Sequence, residues 1–102
     1  MRKTMMLAAA AAMTLASGFA MADGAALYAA KGCAACHGAD GNSPTAPMYP
    51  KLGGQSATYT LTQMKDIKSG ARSNGMSAVM KPMVANVSDA ELEAIANWLA
   101  TQ

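Results

Sequence analysis

The sequence predicts an all-α domain, and three observations predict it. Helix-boundary residues recur at Asp23, Ser56 and Ser88, each followed by apolar positions at helical spacing. No stretch alternates apolar and polar residues as a half-buried strand does. The remaining segments are rich in Gly and Pro and nothing repeats internally. The length, 102 residues, suits one small domain.

Asp23 is a good N-cap for a first helix running through Leu27 and Tyr28 to about Lys31. Ser56 caps a second, with Tyr59, Met64 and Ile67 among its apolar positions and Gly70 just past its end. The third has the clearest signature: Ser88-Asp89-Ala90-Glu91 is a capping box, followed by Leu92, Ile95, Ala96 and Leu99. Two long loops, about 38–55 and 70–87, connect the three helices. Both exceed the roughly 12–15 residues at which a structureless loop needs a functional reason. The first holds Pro44, Pro47 and Pro50 with four glycines, which excludes a helix there.

Residues 1–22 read differently from the rest. Arg2-Lys3 precede an apolar run from Met5 to Ala16, and Ala20-Met21-Ala22 closes the segment before Asp23. A basic start, a short apolar middle and an Ala-x-Ala exit make a secretory signal peptide cleaved after Ala22. The run is shorter than the ~20 residues that span a bilayer, which disfavours the alternative of an uncleaved anchor. The expectation is a protein exported to the periplasm, with a mature domain at residues 23–102.

The mature domain has an electrostatic and an apolar peculiarity. Its six basic and six acidic side chains cancel, so the overall +2 resides in the signal segment and gives no argument for nucleic acid. From Asp23 onward there are only ten Leu, Ile and Val residues and no Phe. That is below the ~20% at which disorder is suspected, yet disorder usually comes with high net charge. So small a chain needs a staple or a bound apolar group to complete its core.

Cys33-Ala34-Ala35-Cys36-His37 names that group. Cys-x-x-Cys-His is the attachment sequence of c-type haem. Two thiols separated by one tight helical turn reach two vinyl groups of the macrocycle, and the adjacent imidazole is placed to ligate iron. A thioredoxin-like dithiol would need a βαβ setting, which is absent. A structural zinc site would need four ligands where this segment supplies three. A disulfide closing so tiny a loop would constrain little.

Beyond the motif, the mature chain resembles the small class I cytochromes c, most closely one half of the di-haem periplasmic cytochromes c. The segments carrying the resemblance are 33–43, the proline loop 47–55, the middle helix with Tyr59, Leu61, Met64, Ile67 and Gly70, and 80–88 with the last helix through Trp98. One departure is plain: a single Cys-x-x-Cys-His implies one covalent haem c. The resemblance implies the class I cytochrome c fold, with three main helices and two long loops wrapped around the haem. Cys33 and Cys36 would form the thioethers and His37 would ligate the iron. Pro47, Tyr49 and Arg72 are candidate haem contacts. The Pro47 carbonyl would accept from His37, and Arg72 and Lys51 would neutralise the propionates. Tyr28 and Trp98 would pack where the first and last helices cross.

The sixth ligand cannot be a second histidine, because His37 is the only one. The mature methionines are Met48, Met64, Met76, Met80 and Met83, and three of them fall within the second long loop. Spacing does not separate Met80 from Met83; the resemblance favours Met80. With His/Met ligation and no open position, the expectation is a non-enzymatic one-electron carrier. It would shuttle electrons between respiratory donors and acceptors, including membrane-bound oxidase or reductase complexes. The alternatives are a peroxidase-like haem enzyme or gas sensor with a labile sixth site, and a dedicated subunit of a larger oxidoreductase. A monomer is expected. A basic block at Lys51, Lys65, Lys68, Arg72 and Lys81, opposed only by Asp66, suggests a docking face for acidic partners.

Overall fold

The computed structural model describes residues 23–102. The predicted signal segment, 1–22, lies outside the described residues, as does any test of its cleavage. Five helices and no strand occur among the described residues: α1 (Gly24–Ala30), α2 (Ala34–His37), α3 (Ala57–Ser69), α4 (Ser77–Val84) and α5 (Asp89–Ala100).

The boundary residues act as the sequence predicts. The Asp23 side chain accepts from the Ala26 amide at 3.0 Å. Ser56 Oγ accepts from the Tyr59 amide at 3.2 Å, and α3 stops at Gly70, whose φ of 90° is left-handed. Ser88 and Glu91 form the full reciprocal capping box, with bonds of 3.2 and 3.0 Å.

The second predicted loop requires a correction. Residues 70–87 are not a continuous loop, because α4 occupies their middle. Pro82 sits inside this helix and removes one main-chain donor. The helix persists because Ser77 and Val84 are buried and Met80 is half-buried between them, an i, i+3, i+7 stripe that continues to buried Val87. Tertiary packing overrides the local cost of the proline. The first loop, 38–55, contains no helix, as expected.

α5 is the organising element. Leu92, Ile95, Ala96 and Leu99 form its buried stripe, and both α1 and α3 pack on it. The α1–α5 crossing is close at Gly24, where a Cβ would come within 2.7 Å of the Trp98 Cβ and collide with the Ala94 carbonyl. Tyr28 and Trp98 meet one turn further along, with ring centroids 5.0 Å apart and planes tilted by 46°. The buried cluster contains Tyr28, Ile67, Val84, Val87, Leu92, Ile95 and Leu99.

Candidate functional site

Every member of that buried cluster also lines a single large cavity of about 530 Å³. Its size falls in the roughly 300–1,000 Å³ range of cofactor sites. The core deficit read from the sequence thus has a location: the apolar residues enclose a space instead of filling it. Cys33, Cys36 and His37 open onto this cavity from α2 and its preceding residue.

Local hydrogen bonds make α2 a tight turn. The amides of Cys36 and His37 both bond to the Cys33 carbonyl, at 3.3 and 3.0 Å. Gly38 ends the turn at φ 88°, where a Cβ would meet the Ser43 main chain. Its carbonyl accepts from the buried Tyr28 hydroxyl at 2.6 Å, which ties α1 to the motif. Burial above all, then the Cys33 and Asp40 charges, pushes the Tyr28 phenol up to about 12. Burial also pushes the Cys33 thiol up, the reverse of the lowered pKa that a redox dithiol uses.

His37 is buried, and its Nδ1 donates to the Pro50 carbonyl at 2.9 Å. A carbonyl only accepts, so Nδ1 carries the proton and Nε2 keeps its lone pair for a metal. The expected acceptor, Pro47, is corrected: it is exposed and does not line the cavity. The loop path explains the three-residue displacement. The Tyr49 amide bonds to Ala46, so Pro47 lies in an outward turn, while the Leu52 and Gly53 amides both return to the Gly41 carbonyl. That return brings Pro50 beside the imidazole.

The other expected contacts divide. Tyr49 lines the cavity, its ring centroid 6.3 Å from that of His37. Arg72 lines it too, with Nη1 donating to Gln63 Oε1 at 3.2 Å. Lys51 is exposed and does not line it. All five methionines among the described residues reach the cavity wall. Met80 is half-buried against the core, whereas Met83, Met76 and Met48 are 42%, 47% and 60% exposed. Thr60, Ser77, Gln63 and Pro50 also line it, and the sequence marked none of them as a site residue.

The donor set fits haem c. Two thiols one turn apart, an imidazole with Nε2 free and several thioethers face one apolar cavity. A structural metal cage does not fit, because among the described residues no three His, Cys, Asp or Glu side chains converge.

An all-helical fold wrapped around a Cys-x-x-Cys-His turn defines a class I c-type cytochrome. The comparisons agree: the chain belongs to the Cytochrome c family, whose sequence profile matches residues 21–102, and haem c is its covalent cofactor. It is 51% identical over 70 residues to cytochrome c4 of Pseudomonas aeruginosa, covering 69% of this chain and 33% of that protein. It is 44% identical over 70 residues to cytochrome c-554(548) of Halomonas halodenitrificans, covering 69% of this chain and 83% of that one. The crystal structure of reduced recombinant cytochrome c4 from Pseudomonas stutzeri superposes with a TM-score of 0.66 at 30% identity, covering 79% of this chain and 47% of that one. The chain therefore spans a third to a half of the cytochrome c4 proteins and resembles one half of that di-haem molecule.

Proposed function

We propose that this chain is a soluble periplasmic one-electron carrier with His37 and Met80 as axial ligands, moving electrons between respiratory donors and acceptors. Haem c supplies the Fe(III)/Fe(II) couple; the chain's residues fix its ligands and its surroundings. The observation that carries the reading is the placement of His37 and Met80 on the wall of one cavity, with the imidazole proton committed to Pro50.

Each residue then has a physical role. The Nδ1–H···O bond holds the imidazole plane and raises the basicity of Nε2. Met80 offers a soft thioether, which favours the ferrous state and raises the potential. With the iron held by both His37 and Met80, a peroxide or gas molecule would find no open site. The same core of Tyr28, Leu92, Ile95 and Leu99 excludes water, which limits the rearrangement that accompanies a change of charge.

His37 is the one histidine, and five methionines on the cavity wall offer a thioether for the sixth position, which favours the carrier over the haem-enzyme reading. Potentiometric titration of the purified holoprotein tests the proposal. A carrier gives one reversible one-electron wave, a low-spin spectrum in both states and no turnover of peroxide. Ready binding of carbon monoxide or peroxide would favour the open-site alternative.

A further inference from the structure

α4 carries Met80 and has little of its own to hold it in place. α1, α3 and α5 are each capped by a side chain, at Asp23, Ser56 and Ser88. α4 begins at Met76 with no side-chain cap and has Pro82 inside it. Unserved end groups and a missing main-chain donor both weaken a helix. The position of α4 is therefore set by its neighbours, and α3 packs on both α4 and α5.

One side chain of α3 reaches the turn that joins those two helices. Lys68, in the last turn of α3, donates from its Nζ to the Val87 carbonyl. Val87 is 3% exposed, so the ammonium serves that carbonyl in place of water. The Val87 amide in turn donates to the Val84 carbonyl at 3.1 Å, at the end of α4. Lys68, Val87 and Val84 thus make a hydrogen-bonded chain from α3 to α4, ending one turn beyond Met80.

The competing role for Lys68 is to steady α5 alone, and its electrostatics argue against that. An ammonium beside the first turn of a helix opposes the helix dipole. Asp89 lies 3.9 Å away and offsets the charge, but its side chain is 68% exposed, and exposed pairs contribute little. The Val87 carbonyl is the stronger contact, since a hydrogen bond from a charged donor is roughly twice as strong as a neutral one.

We propose that Lys68 is a positioning residue for the sixth iron ligand, an inference that rests on the His37/Met80 ligation proposed above. It pins the turn after α4 to α3 and so keeps the Met80 sulfur within reach of the iron. Lys68 does not line the cavity, so it acts through α4. Without the tether the core still folds the chain, but α4 moves away from the cavity more readily and the thioether leaves more often.

The test is the rate at which excess imidazole replaces the sulfur ligand in ferric holoprotein, read as loss of the sulfur-to-iron band. At saturating imidazole this rate is that of sulfur departure, and a neutral ligand is not steered by a change of surface charge. Lys68→Met should raise it roughly tenfold, equivalent to about 1.4 kcal/mol, near the lower end for a hydrogen bond to a charged group. Lys68→Arg, which keeps a charged donor, should return most of the way to wild type. Gly24→Ala is the control, because it disturbs the α1–α5 crossing instead. Denaturant midpoints are measured alongside. A Lys68→Met rate equal to wild type overturns the proposal. So does a rise no larger than Gly24→Ala gives for the same loss of midpoint, since that leaves Lys68 with general stability alone. If Lys68→Met fails to mature, Lys68→Gln decides by the same criteria. A wild-type spectrum without the band would overturn the ligation reading and the tether with it; an intact band with unmoved rates would overturn the tether alone.

Discussion

His37 Nδ1 donates to the main-chain carbonyl of Pro50 at 2.9 Å, across thirteen residues of sequence. This one bond sets which imidazole nitrogen faces the cavity, and it makes the proline loop part of the site. Because the acceptor is a backbone atom, no substitution deletes it; substitutions can only loosen it. Pro50→Ala should lower stability by about 0.4–1 kcal/mol through added freedom of the unfolded loop. It should also raise the potential as the imidazole becomes a weaker donor. Pro47→Ala, in the outward turn, should move the potential much less. Voltammetry of the two variants makes the comparison; a larger shift for Pro47→Ala would mean that the loop follows a different path.

The crossing of α1 and α5 leaves no room for a side chain at residue 24. Gly24→Ala should cost about 1–3 kcal/mol by overpacking. In a domain of this size each kcal/mol lowers Tm by roughly 4–8 °C. Thermal unfolding followed by far-UV circular dichroism checks this, and an unchanged Tm would show that the helices can separate freely.

Tyr28 predicts an alkaline transition. Its phenol is raised from 10.0 to about 12 in the fold, so the neutral form contributes stability that is complete below pH 10 and is lost as pH approaches about 12. Tyr28→Phe leaves the Gly38 carbonyl without its donor and should cost about 1–3 kcal/mol at neutral pH. It should also flatten the fall in stability between pH 10 and about 12. Denaturant midpoints measured across that window give both quantities.

The basic block is less uniform in space than in sequence. Lys68 Nζ donates to the Val87 carbonyl and lies 3.9 Å from Asp89, and Arg72 is held by Gln63. Lys81 is exposed, beside the cavity-lining Met80 on α4. In stopped-flow electron transfer to an acidic redox partner, Lys81→Glu should slow association, and added salt should shrink the difference from wild type. Lys68→Glu should instead lower the unfolding midpoint, because its role is to tie α3 to the start of α5.

Where a boundary is written in side chains, the sequence was legible. Asp23, Ser56, Gly70 and the Ser88–Glu91 box delimit helices because each satisfies particular end groups of the backbone. Cys33, Cys36 and His37 were legible because haem attachment demands that spacing. α4 was not, since Gly75 and Pro82 advertise a loop while the burial of Ser77, Val84 and Val87 that overrides them depends on the rest of the fold. The Ser77–Met80–Val84–Val87 spacing was the available signal. The Pro47–Pro50 displacement was invisible for a similar reason: prolines 44, 47 and 50 look alike until the Gly41 carbonyl fixes where the loop returns. Thr60 and Ser77 gave no signal at all, because a hydroxyl on a helix reads as surface until its burial is known.

Axial ligation is the centre of the account, and the oxidised absorption spectrum tests it most directly. The wild-type holoprotein should show the weak sulfur-to-iron band toward the red end. Met80→Ala should abolish it and lower the potential, while Met83→Ala, at a residue 42% exposed, should leave both nearly unchanged. A band that survives Met80→Ala and disappears with Met83→Ala would contradict the assignment, and a wild-type spectrum without the band would contradict His/Met ligation altogether.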